Sequence, residues 1–342
     1  MNSGKSSMSF KAVILAGGSG ERFWPLSTPE RPKQFLRVFG GASLIRQAVS
    51  RLDGFVSPKD VFVVTAKNLV AATRRELPEI PKCNILGEPM RRDTGAAVAL
   101  GIGLAASDAD PVIGFFSSDQ MVSNPKAFRK VVSKAVAIAR RKQVIVTLGI
   151  KPTYPATCFG YISPKTRAFV EKPDAKTAKK YVKAGYLWNA GMFIARASTF
   201  RGAFAAHAPE LECLTSSTRA AGSKAPSTKH LSALYSKLPK ISFDYAVMEK
   251  SKNVEVVPGD FGWDDVGSFA AFDKYFPHDS RGNVREGPCT VVEADGNICV
   301  ARSARISLLG VNNLVVVTTP NFVLVAEKSR LTEMKKLFAK NS

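Results

Sequence analysis

Five short apolar runs constrain the fold more than any other feature of this chain. They occupy residues 12–16, 61–65, 84–86, 112–116 and 144–150, and each has the length of a buried strand. Between several of them lie segments of helical period. Ser43 stands before Leu44, Ile45, Ala48 and Leu52, a run closed by Gly54, and Gly95 opens a small-residue helix reaching residue 106. Asn124 stands before Phe128, Val131, Val132, Ala135, Val136 and Ala139, which repeat every three to four residues. Strand alternating with helix predicts an α/β fold, a mostly parallel sheet with helices on both faces. In such sheets ligands bind beyond the carboxyl ends of the strands, so the loops after each run are the places to search for chemistry.

The first of those loops carries the strongest signal. The strand at 12–16 ends in Ala16 and runs into Gly17, Gly18 and Gly20, followed by the cations Arg22 and Lys33. Glycines let backbone N–H groups approach a phosphate or a base, so an anion is the expected guest. Glu21-Arg22 stand where a P-loop needs Lys followed by Ser or Thr, and Phe23 stands where the dinucleotide fingerprint needs its third glycine. A tight strand-to-helix turn bearing two solvated cations is the plainer alternative for this loop alone.

Leu15-Ala16-Gly17-Gly18-Ser19-Gly20-Glu21-Arg22, with Pro32-Lys33 after it, resembles the signature of the sugar-phosphate nucleotidyltransferases. The wording Trp24-Pro25-Leu26-Ser27 and Pro32-Lys33-Gln34-Phe35-Leu36 is similar to the mannose-1-phosphate guanylyltransferase branch. Further stretches match in order. They are Gly87-Glu88-Pro89, Ser117-Ser118-Asp119-Gln120, Phe159-Gly160-Tyr161-Ile162, Val170-Glu171-Lys172-Pro173, Trp188-Asn189-Ala190-Gly191 and Phe261-Gly262-Trp263-Asp264-Asp265-Val266-Gly267. The resemblance implies a Rossmann-like catalytic domain over residues 10–278 and a short β-helix with a terminal helix over 279–342, behind a flexible extension at 1–9. It also implies that the isomerase domain fused in some relatives is absent.

The implied reaction is GTP plus mannose 1-phosphate giving GDP-mannose and pyrophosphate. By alignment to the motifs, Arg22, Lys33 and Lys172 handle the phosphates. The nucleotide lies against Ala16, Gly17, Gly18, Gly20, Glu88, Arg92, Thr94, Ser117 and Asp119. The sugar is held by Gly160, Glu171, Lys172 and Asn189, and Mg2+ is the expected cofactor, between Asp119 and Asp265. Two stretches depart from the usual wording: Asp93-Thr94-Gly95-Ala96, which touches the base pocket, and Ser117-Ser118-Asp119-Gln120, which touches the metal loop. A different base or hexose, a sugar-nucleotide sensor without catalysis, or a nucleic-acid-binding protein remain open at this point.

Composition narrows the remaining classes. Five widely spaced cysteines and three isolated histidines argue against a disulfide framework, a zinc site or a histidine triad. No apolar run reaches the ~18 residues of a membrane span, and no secretory signal is visible, so a cytoplasmic protein is expected, with no membrane partner. The net charge of +21 favours polyanionic partners. The charge is diffuse, its two densest runs fall on amphipathic helix faces and no basic stripe carries interleaved aromatics, so a nucleotide is expected ahead of a nucleic acid. The oligomeric state is left open, with a homodimer as one option.

Overall fold

In the computed structural model, residues 8–106, 110–217 and 228–341 are described. The chain divides into two units. The first runs to Gly17 and takes in Arg46–Ser118 and Val122–Trp263; the second comprises Gly18–Ile45, Asp119–Met121 and Asp264–Ser342.

The first unit is built on a mixed sheet. Its main strands are β1 (Phe10–Ala16), β2 (Val61–Ala66), β3 (Ile85–Glu88), β4 (Val112–Ser117), β5 (Ile145–Ile150), β6 (Leu187–Arg196) and β7 (Val254–Gly259). They lie in the order β7-β5-β6-β4-β1-β2-β3. The pairs β4–β1, β1–β2, β2–β3 and β7–β5 are parallel, and β6 runs antiparallel to both of its neighbours. All five predicted runs are strands. Successive residues of a strand point to opposite faces, and β4 shows what that does here. The Phe115 ring meets Phe200 edge-on, whereas Phe116 meets Phe128. Those two partners lie on different helices, so each face of the sheet carries one.

The helix Pro125–Arg141 buries the six apolar residues its spacing selects, and the Asn124 side chain accepts from the Ala127 N–H at 2.9 Å. Asp174 caps Ala175–Lys183 by accepting from the N–H groups of Lys176 and Thr177. Asp93–Ala105 is buried along nearly its whole length. Helices Ala197–His207, Pro209–Ser217 and Thr228–Tyr235 have no counterpart in the sequence reading. The stretch 215–228, rich in Ser, Thr, Ala and Gly, begins inside the second of them, and residues 218–227 lie outside the described set, as do residues 1–7 of the expected flexible extension. Asp244–Met248 is a π-helical turn, in which the Glu249 N–H reaches back to the Asp244 carbonyl at 3.0 Å. A five-residue step of this kind turns a side chain where an α-helix would not, and such turns gather at functional sites.

The second unit ends in a short β-helix. Strands β8 (Val284–Glu286), β10 (Ile298–Ala301) and β12 (Leu314–Thr318) pair in parallel, as do β9 (Cys289–Val292) and β11 (Ile306–Leu309), and β13 (Val323–Glu327) closes antiparallel on β12. Buried asparagines tie the rungs. Asn297 Nδ2 donates to Asn283 Oδ1 and to the Val311 carbonyl, both at 2.9 Å, and the Leu314 N–H donates to Asn297 Oδ1. Gly282 and Gly296 turn with positive φ at the same point of successive coils, and Asn313, also at positive φ, takes that place on the next. After β13, Lys328–Glu333 is a 3-10 turn and the terminal α-helix is Lys335–Asn341. Among the described residues no helix is long and apolar enough to cross a membrane.

Candidate functional site

Parallel pairing brings the carboxyl ends of β1, β2 and β3 side by side. Ala16 lies opposite Thr65, and Ala66 opposite Glu88. Beyond these ends opens a cavity of about 540 Å³ lined by Gly17, Lys67, Asn68, Glu88, Pro89 and Arg91, among others. That volume suits a small ligand.

Glu88 is the unusual residue here. Its Oε1 accepts the Tyr235 hydroxyl at 3.1 Å, and its Oε2 lies 3.5 Å from where a side chain on Gly17 would begin. Burial pushes its carboxyl up to about 7, against the hydrogen bond from Tyr235 and with help from the nearby Asp93 charge. Arg92 and Thr94 face elsewhere. The Arg92 guanidinium donates to the carbonyls of Tyr235 and Ser236, and Thr94 Oγ1 accepts from the Phe243 N–H. It is Arg91 that lines the cavity. Ser117 ends β4 opposite Leu15, and its carbonyl accepts from buried Arg51 at 2.7 Å.

A second group of polar side chains in the same unit gathers around Glu171. Lys172 Nζ lies 3.1 Å from Glu171 Oε1, and the Glu171 N–H donates to Glu249 Oε1. Gly160 leaves room for Glu171, since a Cβ there would fall against Glu171 Oε2 and displace that carboxylate. Asn189 donates through Nδ2 to Asp244 Oδ1 at 2.9 Å, while its Oδ1 accepts from Thr147 Oγ1 and from the Gly191 N–H. The amide thereby fixes Asp244, which the π turn carries into the group. Burial, reinforced by the Glu171 charge, raises the Asp244 carboxyl to about 7. Burial also raises Glu171, partly offset by Lys172. Lys172 adopts φ +46°, a sparsely populated backbone conformation of the kind that marks ligand sites.

In the second unit the glycine-rich loop surrounds a cavity of about 250 Å³ lined by Gly18, Gly20, Arg22, Lys33, Asp119 and Asp265, among others. Lys33 is the junction. Its buried ammonium donates to Asp119 Oδ2 at 3.0 Å and to the Asp265 carbonyl at 2.7 Å. The Asp265 carboxyl is pushed up by burial and by the charge of Asp119, and pulled down by Lys33 and Arg22. Asp264 is engaged differently: it accepts from the Val266 N–H at 2.7 Å and from Lys274 Nζ at 2.5 Å. Two carboxylates lining one small cavity are what magnesium needs, since that ion binds through one or two carboxylates and completes its shell with water and substrate phosphate. Among the described residues no group of three or more acidic, histidine or cysteine side chains forms a fuller cage.

Gly20 allows this loop to close. It sits at φ +67°, and a Cβ would fall 2.6 Å from the Lys33 backbone nitrogen. Gly20→Ala is therefore expected to destabilise the protein by about 2–3 kcal/mol, because strain at positive φ adds to a clash with backbone. Thermal melts of the two proteins check it, and an unchanged melting temperature would show that the loop has room to move.

Sequence reasoning passed over Tyr235, Asp244, Arg91 and Thr147. Only Asp244 left a trace, inside the Ser242-Phe243-Asp244-Tyr245 stretch.

Comparison with known proteins is consistent with this geometry. The family described as Nucleotidyl transferase matches residues 11–281, and that described as MannoseP isomerase/GMP-like beta-helix domain matches residues 287–340. The chain is 35% identical over 348 residues to the mannose-1-phosphate guanylyltransferase RfbM of Salmonella typhimurium, covering 96% of this chain and 72% of that one. A solved structure described as mannose-1-phosphate geranyltransferase from Thermus thermophilus superposes with a TM-score of 0.87 at 33% identity, over 97% of this chain and 99% of that one. Another, described as mannose-6-phosphate isomerase from Helicobacter pylori, gives 0.63 at 26% identity over 75% of this chain and all of that one.

Proposed function

Because the chain belongs to the mannose-1-phosphate guanylyltransferase family, and so to the nucleotidyltransferases that join a nucleotide to a sugar 1-phosphate, we propose that it makes GDP-mannose and pyrophosphate from GTP and mannose 1-phosphate. A phosphate oxygen of the sugar attacks the α-phosphorus, and the bond to pyrophosphate breaks. The obstacle is repulsion between the two phosphates. One pair of unit charges at ~4 Å and an effective dielectric near 20 repels by about 4 kcal/mol, so fixed cations are the main requirement.

Arg22 and Lys33 hold the nucleotide phosphates and stabilise the leaving pyrophosphate, and Lys172 receives the sugar phosphate. Asp119 and Asp265 are the carboxylates that would hold Mg2+, which when bound neutralises charge on the phosphate oxygens. Guanine's edge carries N–H donors, and the Glu88 carboxylate at the end of β3 is the acceptor assigned to them, beside Gly17. Glu171 and Asp244 accept from sugar hydroxyls, with Gly160 leaving room and Asn189 fixing Asp244. No protein nucleophile is required, since the attacking phosphate is already ionised. The catalytic domain is assigned to residues 10–278 and the β-helix with its helix to 279–342.

The observation that supports this most is the Lys33 ammonium, bonded at once to the Asp119 carboxylate and the Asp265 carbonyl inside the glycine-rich loop. The test is a matrix of initial rates for four nucleoside triphosphates against several hexose 1-phosphates. GTP with mannose 1-phosphate is expected to give the highest kcat/KM. A different best pair would keep the reaction class and overturn the substrate assignment.

A further inference from the structure

We infer that Lys335, on the C-terminal helix, is a third cation of the phosphate cavity and binds the pyrophosphate end of the nucleotide; this rests on the reading above. Lys335 lines the same cavity as Arg22, Lys33, Asp119 and Asp265. No motif points to it, because it lies beyond the nucleotidyltransferase match, which ends at residue 281.

Its position is fixed by packing. Leu331 and Met334 are 5% and 2% exposed and belong to the same apolar cluster as Phe23 and Trp24, with Phe338 packed against it. The helix Lys335–Asn341 lies against the turn Glu21–Phe23 that carries Arg22. Lys335 follows Met334 directly and sits one turn before Phe338, so it occupies the face that an uninterrupted apolar stripe would fill. Nearby cations are engaged elsewhere: Arg330 and Lys336 both pair with Glu333, at 2.9 and 2.6 Å. Lys335 enters no ion pair found among the described residues.

Charge supports the same assignment. Without Lys335 the cavity sets Glu21, Asp119 and Asp265 against only Arg22 and Lys33. The Lys335 ammonium brings the side chains themselves into balance, and with Mg2+ held by Asp119 and Asp265 the cavity would carry the net positive charge that a polyphosphate needs.

The test uses the full chain and three variants, Lys335→Ala, Lys335→Arg and the control Lys336→Ala. Calorimetric titration with inorganic pyrophosphate is combined with separate KM values for GTP and mannose 1-phosphate. Losing one charge-assisted contact predicts about tenfold weaker pyrophosphate binding and a comparable rise in the GTP KM for Lys335→Ala. The mannose 1-phosphate KM should stay put, Lys335→Arg should restore binding, and Lys336→Ala should match the wild type. Unchanged pyrophosphate affinity in Lys335→Ala, including the case where only kcat falls, overturns the inference and leaves the reaction standing. If the wild type neither binds pyrophosphate nor turns over any nucleotide, the reaction falls and the inference falls with it.

Discussion

Replacing Asp265 by Asn is expected to lower kcat by about 10²- to 10³-fold, the usual scale for losing one preorganised electrostatic contact to a transition state. The fold should survive, because Lys33 bonds to the backbone carbonyl of residue 265, which Asn retains. What disappears is the charge. The Asp265 carboxyl is pressed by burial and by Asp119 toward the neutral form, and Lys33 and Arg22 oppose that pressure. A group balanced in this way responds strongly to an added cation. Asp264→Ala should behave in the opposite sense. Asp264 accepts from the N–H of Val266, a fully buried β-branched residue held at φ +48°. Such a conformation stores about 1–3 kcal/mol and persists only while its surroundings enforce it. Loss of the Asp264 carboxylate should therefore lower the melting temperature by several degrees and reduce kcat less than tenfold. Measuring both quantities on both variants separates the roles. If Asp264→Ala removes turnover and Asp265→Asn does not, the metal has been assigned to the wrong carboxylate.

These two acids were visible in the sequence for a local reason. Residues 112–116 are an apolar run of strand length, and the first carboxylate after it, Asp119, must fall beyond a strand end, where an α/β sheet binds ligands. Asp265 lies in a glycine-flanked loop whose wording carries the same message. Tyr235 and Asp244 left no comparable signal. Tyr235 reaches Glu88 from a short helix 147 residues later in the chain, a contact that tertiary packing alone creates. Asp244 enters its group because five residues adopt a π turn, and nothing in Asp244-Tyr245-Ala246-Val247-Met248 distinguishes that turn from an α-helix before packing is known. The β-helix is a different case. Arg281-Gly282-Asn283-Val284 and Asp295-Gly296-Asn297-Ile298 repeat at a spacing of 14 residues, and the asparagine bonds span that same interval. The repeat could have fixed the rungs directly. Read as isolated apolar runs, Val284–Glu286 and Val323–Glu327 are too short or too exposed to stand out.

Glu88→Gln is expected to make the protein more stable in mild alkali and a poorer guanylyltransferase. Burial raises the Glu88 carboxyl from its usual value near 4.5 to about 7. Below about pH 4.5 the group is protonated in the folded and the unfolded chain alike, and its burial carries no charge penalty. Between 4.5 and 7 the unfolded chain gives up the proton while the folded one keeps it, so stability falls as pH rises. Above about 7 the folded protein carries a buried carboxylate, and the accumulated loss is about 3 kcal/mol, from about 1.4 kcal/mol per unit of raised pKa. Glutamine cannot ionise and still offers an oxygen to the Tyr235 hydroxyl. Its melting temperature should thus match the wild type at about pH 4.5 and exceed it at about pH 8.5. Activity should move the other way. An anionic acceptor paired with the N–H donors of guanine is what separates GTP from ATP in the proposed cavity, and a bond to a charged group contributes about 1.5–3 kcal/mol. The kcat/KM ratio for GTP over ATP should accordingly fall by about tenfold to a hundredfold in the variant at about pH 8. Thermal melts at the two pH values, with rates for both nucleotides, decide the matter. A Glu88→Gln protein less stable than wild type in mild alkali, with its GTP preference intact, would show that this carboxylate serves Tyr235 and the fold, and that the base is read elsewhere.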